Sequence, residues 1–112
     1  MKRGEIWRIN LDPTVGAEIR KTRPALILSI DAIGTLPLRV IVPITAWKDS
    51  YAQARWLVRL EPDSANNLDK VSAADTFQLR SVSEARFVDR YGTISPTDMT
   101  RIEEALRIVS GL

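Results

Sequence analysis

Arg20-Lys21-Thr22-Arg23 concentrates positive charge just ahead of Pro24 and the apolar run Ala25-Leu26-Ile27-Leu28. A residue before proline is biased toward extended backbone. Arg23 is therefore expected to hold its guanidinium at the mouth of a sheet, where the planar fork can grip a phosphate bidentately. The plainer alternatives are a structural ion pair or a solvated strand start. Thr45 follows Pro43-Ile44 at a strand end and offers its hydroxyl to a phosphate oxygen or a ribose 2′-hydroxyl, unless it is an ordinary strand-end threonine. Asp75, in Ala73-Ala74-Asp75-Thr76-Phe77, is a candidate proton acceptor or a partner for Arg80. Of the three tryptophans, Trp47 precedes a polar loop and suits stacking against an unpaired base, whereas Trp7 and Trp56 lie on apolar faces and are expected in the core.

What is missing narrows the chemistry further. The 112 residues include no His and no Cys, so there is no imidazole base, thiolate nucleophile or thiolate zinc site. No glycine-rich phosphate loop occurs and no carboxylates fall at metal-site spacing, which points to a reaction without metal or cofactor. Acid–base work is left to Asp, Glu, Lys or Tyr, and charge stabilisation to Arg, Lys, hydroxyls and backbone N–H groups. Net charge is only +2, yet Lys and Arg outnumber Asp and Glu ten to five through Leu60 and are outnumbered six to nine beyond it. Such asymmetry can give one basic face suited to an acidic partner.

These side chains need strands to position them. Glu5–Leu11 alternates, with Trp7, Ile9 and Leu11 on one side, and Asp12-Pro13-Thr14-Val15-Gly16 ends it. Pro24–Ile30 reads as a strand buried on both faces, and Leu38–Val42 as a β-branched strand closed by 43–47. Arg55–Leu60 alternates again, 61–67 is turn chemistry, and 71–74 and 77–82 are short strands that can join across Asp75-Thr76. A helical turn at 83–87 and an extended piece at 92–94 precede the clearest element. Ser95 is an N-cap, Pro96 takes the first helical position, Asp98 completes a capping box, and Gly111 stops the helix. The expectation is one mainly β (α+β) domain spanning 1–112: a small barrel or strongly curved antiparallel sheet with a C-terminal helix. No apolar run reaches the roughly 20 residues of a membrane span and the N-terminus lacks a signal-peptide core, so a cytoplasmic setting is expected.

Taken in order, Arg3-Gly4-Glu5-Ile6-Trp7, Leu11-Asp12-Pro13-Thr14-Val15-Gly16-Ala17-Glu18 and Thr22-Arg23-Pro24-Ala25-Leu26-Ile27-Leu28 resemble the N-terminal signature of MazF/PemK/Kid toxins. Val42-Pro43-Ile44-Thr45, Gln78-Leu79-Arg80-Ser81-Val82 and Arg86-Phe87 before a Gly92-containing turn continue the likeness across the chain. The resemblance implies an SH3-like barrel that forms a homodimer and cleaves single-stranded RNA sequence-specifically, with an antitoxin blocking the RNA groove. It also implies catalysis by Arg23 and Thr45. Glu18, Arg20, Lys21, Trp47, Lys48 and Arg80 are the expected RNA contacts. The chain departs from the pattern at Ala17, where some members carry His, at Ala46, where many carry Ser, and at Phe77, where some are acidic. Asp75, two positions earlier on the same strand face, is the expected substitute acid. A gyrase-binding toxin like CcdB and a barrel that binds RNA without cutting are the alternative readings.

Overall fold

The computed structural model describes residues 1–112. Seven strands form one antiparallel sheet: β1 (Glu5–Asn10), β2 (Thr22–Ile27), β3 (Leu38–Ala46), β4 (Leu57–Leu60), β5 (Ser72–Asp75), β6 (Arg80–Ser83) and β7 (Phe87–Thr93), followed by helix α1 (Pro96–Ser110). The order is β4-β5-β3-β2-β1-β7, with β6 as a second neighbour of β3. β4 and β7 do not pair with each other, so of the two expected architectures the open sheet is the one found. Register shifts in β1 between Ile6 and Trp7 and between Arg8 and Ile9 bend the strand against β7.

Strand alternation sorts the apolar residues into two cores. Leu26, Leu28, Val42 and Ile44 point to a cluster closed by Ile102 and Ala105 of α1, while Ala25, Ile27 and Ile41 point to one shared with Ile9, Leu11 and Val82. β2 is thus buried on both faces, as its unbroken apolar run indicates. Helix α1 follows its local signals. The Ser95 hydroxyl accepts from the Asp98 N–H at 3.1 Å, and Gly111 ends the helix at φ 71°. No helix is long and apolar enough to cross a membrane.

Four elements differ from the sequence expectation. Pro43 does not close β3; the strand runs on through it to Ala46. On one side β3 pairs with β6 as far as Ile41 and with β5 only from Ile44, so the missing N–H of Pro43 falls in the gap between two neighbours. β5 and β6 do not join, because Thr76–Gln78 forms a 3-10 turn anchored by the Thr76 hydroxyl on the Trp56 carbonyl at 2.7 Å. Trp56 is 39% exposed rather than in the core. It precedes β4, whose buried face begins at Val58. Gly92 lies inside β7, paired with Ile6, in keeping with the extended piece expected from 92 and not in the turn that the resemblance places there. Trp7 is half-buried and packs edge-on against Phe87 beside the second core.

Burial pushes the Glu5 carboxyl up, but hydrogen bonds from the Trp7 indole and the Lys2 amide, with the amino terminus nearby, outweigh it and bring the group down from 4.5 to about 2. A depressed carboxylate stabilises the fold above its unfolded value and loses that contribution as pH falls from 4.5 toward 2. Glu5→Gln is expected to lower Tm at pH 7, with the gap to the parent narrowing below pH 4.5 and closing only as pH falls through about 2, where the carboxyl is protonated in folded and unfolded chains alike. Thermal melts across pH check this; a gap that stays constant with pH would mean the charge is irrelevant.

Candidate active site

β2 and β3 are paired from Ile27 opposite Ile41 to Ala25 opposite Pro43, and the same register continued places Arg23 across from Thr45. The ladder stops before that point and the strands part. The split is a hollow of about 150 Å³ whose lining includes Arg23, Pro24, Ile44 and Thr45, together with Asp69, Lys70 and Tyr91. Arg23 is half-buried; its Nε donates to the Arg20 carbonyl at 3.2 Å, and no carboxylate lies within ion-pair distance. The structural ion pair that sequence alone allowed is absent. The guanidinium keeps its terminal nitrogens for an anion. Lys21, at φ 71°, turns the chain into β2, and its carbonyl accepts the Leu11 N–H at 2.9 Å, which fixes the approach. Lys21 and Arg20 are exposed at the rim.

The sheet register carries the site across further strands. Thr45 faces Ala73 and Ala73 faces Arg59, so Arg23, Thr45, Ala73 and Arg59 form one row across β2, β3, β5 and β4. Beyond Thr45, the Trp47 ring stands at 90° to Tyr51, with centroids 5.8 Å apart. The Arg59 guanidinium lies 5.6 Å over Trp47, and Lys48 Nζ is 6.0 Å from the Tyr51 ring. The place of Trp47 between a strand end and a polar loop marked it in the sequence, and Lys48 was among the expected RNA contacts. Arg59 was missed, because only the β3-β5-β4 order brings it to Trp47.

Asp75 occupies the adjacent row, opposite Leu57. It lines a separate, wider hollow of about 460 Å³ with Ala17, Glu18, Gln78 and the exposed edge-to-face pair Trp56 and Phe77. Its carboxylate accepts from the Phe77 N–H at 3.1 Å and from Gln78 Nε2 at 3.2 Å. Burial outweighs these bonds and raises the group above the usual Asp value. Gln78 also donates to the Ala17 carbonyl at 3.2 Å and accepts the Ile19 N–H at 2.5 Å, tying the basic loop to the end of β5. Arg80 does not reach Asp75; its Nη1 donates to the Leu11 carbonyl at 3.1 Å, bracing the end of β1. Glu18 accepts the Val15 N–H at 2.6 Å and closes its own loop. The structure therefore brings Arg23, Thr45 and the Trp47–Lys48 corner together on one face, places Asp75 and Glu18 in the neighbouring hollow, and gives Arg80 a bracing contact.

Comparison with known proteins places the whole chain in a family. The sequence model of the family described as "PemK-like, MazF-like toxin of type II toxin-antitoxin system" matches residues 2–110. The chain is 29% identical over 114 residues to Endoribonuclease MazF9 of Mycobacterium tuberculosis, covering 96% of this chain and 94% of that protein. It is 30% identical over 112 residues to a probable endoribonuclease MazF of Mycolicibacterium smegmatis, covering 100% and 98%. Among solved structures, MazF of Deinococcus radiodurans superposes with a TM-score of 0.82 at 23% identity, covering 100% of this chain and 97% of that one. A mycobacterial endoribonuclease in complex with its cognate antitoxin gives 0.79 at 21%, covering 100% and 96%. This chain belongs to the PemK-like, MazF-like toxin family of type II toxin–antitoxin systems.

Proposed function

We infer that the protein is a sequence-specific endoribonuclease toxin that cleaves single-stranded RNA without a metal and is neutralised by an antitoxin. The observation that carries the reading is the meeting of Arg23 and Thr45 at the β2–β3 split, with a guanidinium held in no ion pair. Membership of the toxin family and the relatives' endoribonuclease names support it. The ribose 2′-oxygen attacks the adjacent phosphorus and the bond to the 5′-oxygen breaks, the departing oxygen taking a proton from solvent, to leave a 2′,3′-cyclic phosphate and a 5′-hydroxyl. Arg23 neutralises charge building on the phosphoryl oxygens and is too basic to take the proton. Thr45 orients the phosphate or the 2′-hydroxyl for in-line attack. For Asp75 to accept the 2′-hydroxyl proton the bound RNA has to bridge the Arg23–Thr45 split and the neighbouring hollow, and the upward shift of Asp75 brings it nearer the pH at which a base is effective. The loops at 17–22 and 48–53 read exposed base edges, with aromatic stacking as support. The same reading places the toxin in the cytoplasm as a homodimer. Exposed Ile30, Leu38 and Leu79 give apolar surface for a second copy, and a groove across the two-fold would lengthen the RNA site.

The test is incubation of the purified protein with a long natural RNA in EDTA, followed by mapping of fragment ends. Discrete fragments with cyclic-phosphate ends are expected, and the rate should fall at acid pH with a limb that Asp75→Asn removes. Intact RNA together with inhibited supercoiling would identify a gyrase binder, and tight RNA binding without fragments a non-cleaving barrel.

A further inference from the structure

We propose that Arg59 is a substrate-binding residue that holds an RNA backbone phosphate next to the one cleaved between Arg23 and Thr45. The proposal rests on the endoribonuclease reading above. Arg59 stands in the same cross-strand row as Thr45, separated from it only by Ala73. Ala73 is fully buried and carries a single methyl group, so the Arg59 side chain can cross β5 unobstructed, and its guanidinium arrives over Trp47 at 5.6 Å. Paired strands are about 4.8 Å apart, so three strand spacings set the Arg23 and Arg59 backbones at least roughly 14 Å from each other, and farther by the width of the β2–β3 split. Both side chains are long enough to reach inward toward Thr45.

The electrostatics of Arg59 suit an exchangeable anion. Its Nε donates to Glu61 at 3.0 Å, while Nη1 and Nη2 make no hydrogen bond to the protein. Its side chain is 50% exposed. An exposed pair with Glu61 contributes little to stability, so a phosphate can add to or replace it at small cost. Trp47 fixes the plane of the guanidinium, and Tyr51 fixes Trp47. A lysine at this position would keep the charge but not the stacked fork. The basic surface thus spans the row, with one guanidinium at each end and the reacting Thr45 between them.

The experiment uses a short single-stranded RNA spanning a cut site mapped with the parent protein, its attacking 2′-hydroxyl replaced by hydrogen so that it binds without being cut. Affinity is measured by fluorescence anisotropy over a salt series. One phosphate contact to a single strand contributes about 0.7 to the slope of log K against log salt. Arg59→Ala is expected to weaken binding and flatten the slope by about that amount. Arg59→Lys should retain most of the slope, and Glu61→Gln should tighten binding by removing the negative charge that competes with phosphate at Arg59. If the parent cuts RNA but Arg59→Ala leaves slope and affinity unchanged, the proposal is overturned while the endoribonuclease reading survives. A parent protein that neither binds nor cuts RNA overturns both. Thermal melts of each variant separate unfolding from lost contact, and the gain expected from Glu61→Gln cannot arise from misfolding.

Discussion

Arg23→Ala is expected to lower the RNA cleavage rate by about 100-fold or more, because deleting one preorganised donor to a developing oxyanion commonly costs that much. Stability should barely change. The only hydrogen bond lost is the one from Nε to the exposed Arg20 carbonyl, and no ion pair is broken. Arg23→Lys restores positive charge without the planar fork, so it should recover only part of the rate. Thr45→Val provides a parallel test, since its hydroxyl makes no hydrogen bond within the protein and its loss exposes no buried partner. Single-turnover rates on a mapped RNA, with urea melts of the same preparations, give the answer. A folded Arg23→Ala protein cutting at the parent rate would remove Arg23 from the chemistry.

The largest effect on stability is expected from Gly92→Ala. A Cβ added at Gly92 would sit 2.1 Å from the Ala65 carbonyl oxygen and 3.0 Å from the Asn66 carbonyl group. Both obstacles are backbone, so no side chain can swing aside. The Ala65–Asn67 segment cannot retreat freely either. The Thr93 N–H donates to the Ala65 carbonyl at 2.9 Å, and Asn67 Nδ2 donates to the Tyr91 carbonyl at 2.8 Å. Asn66, 1% exposed, binds the Glu61 carbonyl at 2.9 Å and accepts N–H groups from Asp63 and Leu68, each at 3.0 Å. Pushing this segment out strains those bonds together and pulls Leu68 from the first core. Overpacking usually costs about 1–3 kcal/mol, and a clash against braced backbone should reach or exceed the top of that range. Urea titration reads this as a lower Cm, and an unchanged Cm would show that β7 and the loop separate easily.

Gly92 also shows where sequence reading stops. Its role depends on a segment some 25 residues earlier lying against β7, and no local pattern records that approach. The same holds for Pro43, which reads as a strand terminator until β3 is seen to change neighbours beside it. Trp56 lies on the apolar side of an alternating run, but β4 begins one residue later, leaving the ring outside. By contrast, the Ser95–Gly111 helix was fully legible, because caps, proline position and periodicity all act within a few turns of chain. At the site, Arg23 and Thr45 could be chosen from residue type and flanking prolines, and the Arg-Pro and Pro-Ile-Thr signatures sharpened that choice. Arg59 could not be chosen this way, since its relation to Trp47 exists only through the pairing of three strands.

The open sheet has one more consequence. Unpaired outer strands invite other chains to add on, which is how many folded proteins aggregate and how some inhibitory peptides dock. Here Arg101 of α1 donates to the Arg59 carbonyl at 2.8 Å along one outer strand, while the Ala65–Asn67 segment occupies backbone positions at Tyr91 and Thr93 along the other. With a contact on each of these two outer strands, strand addition there is hindered, which leaves β6, whose single neighbour is β3, as the outer strand open to a docking peptide.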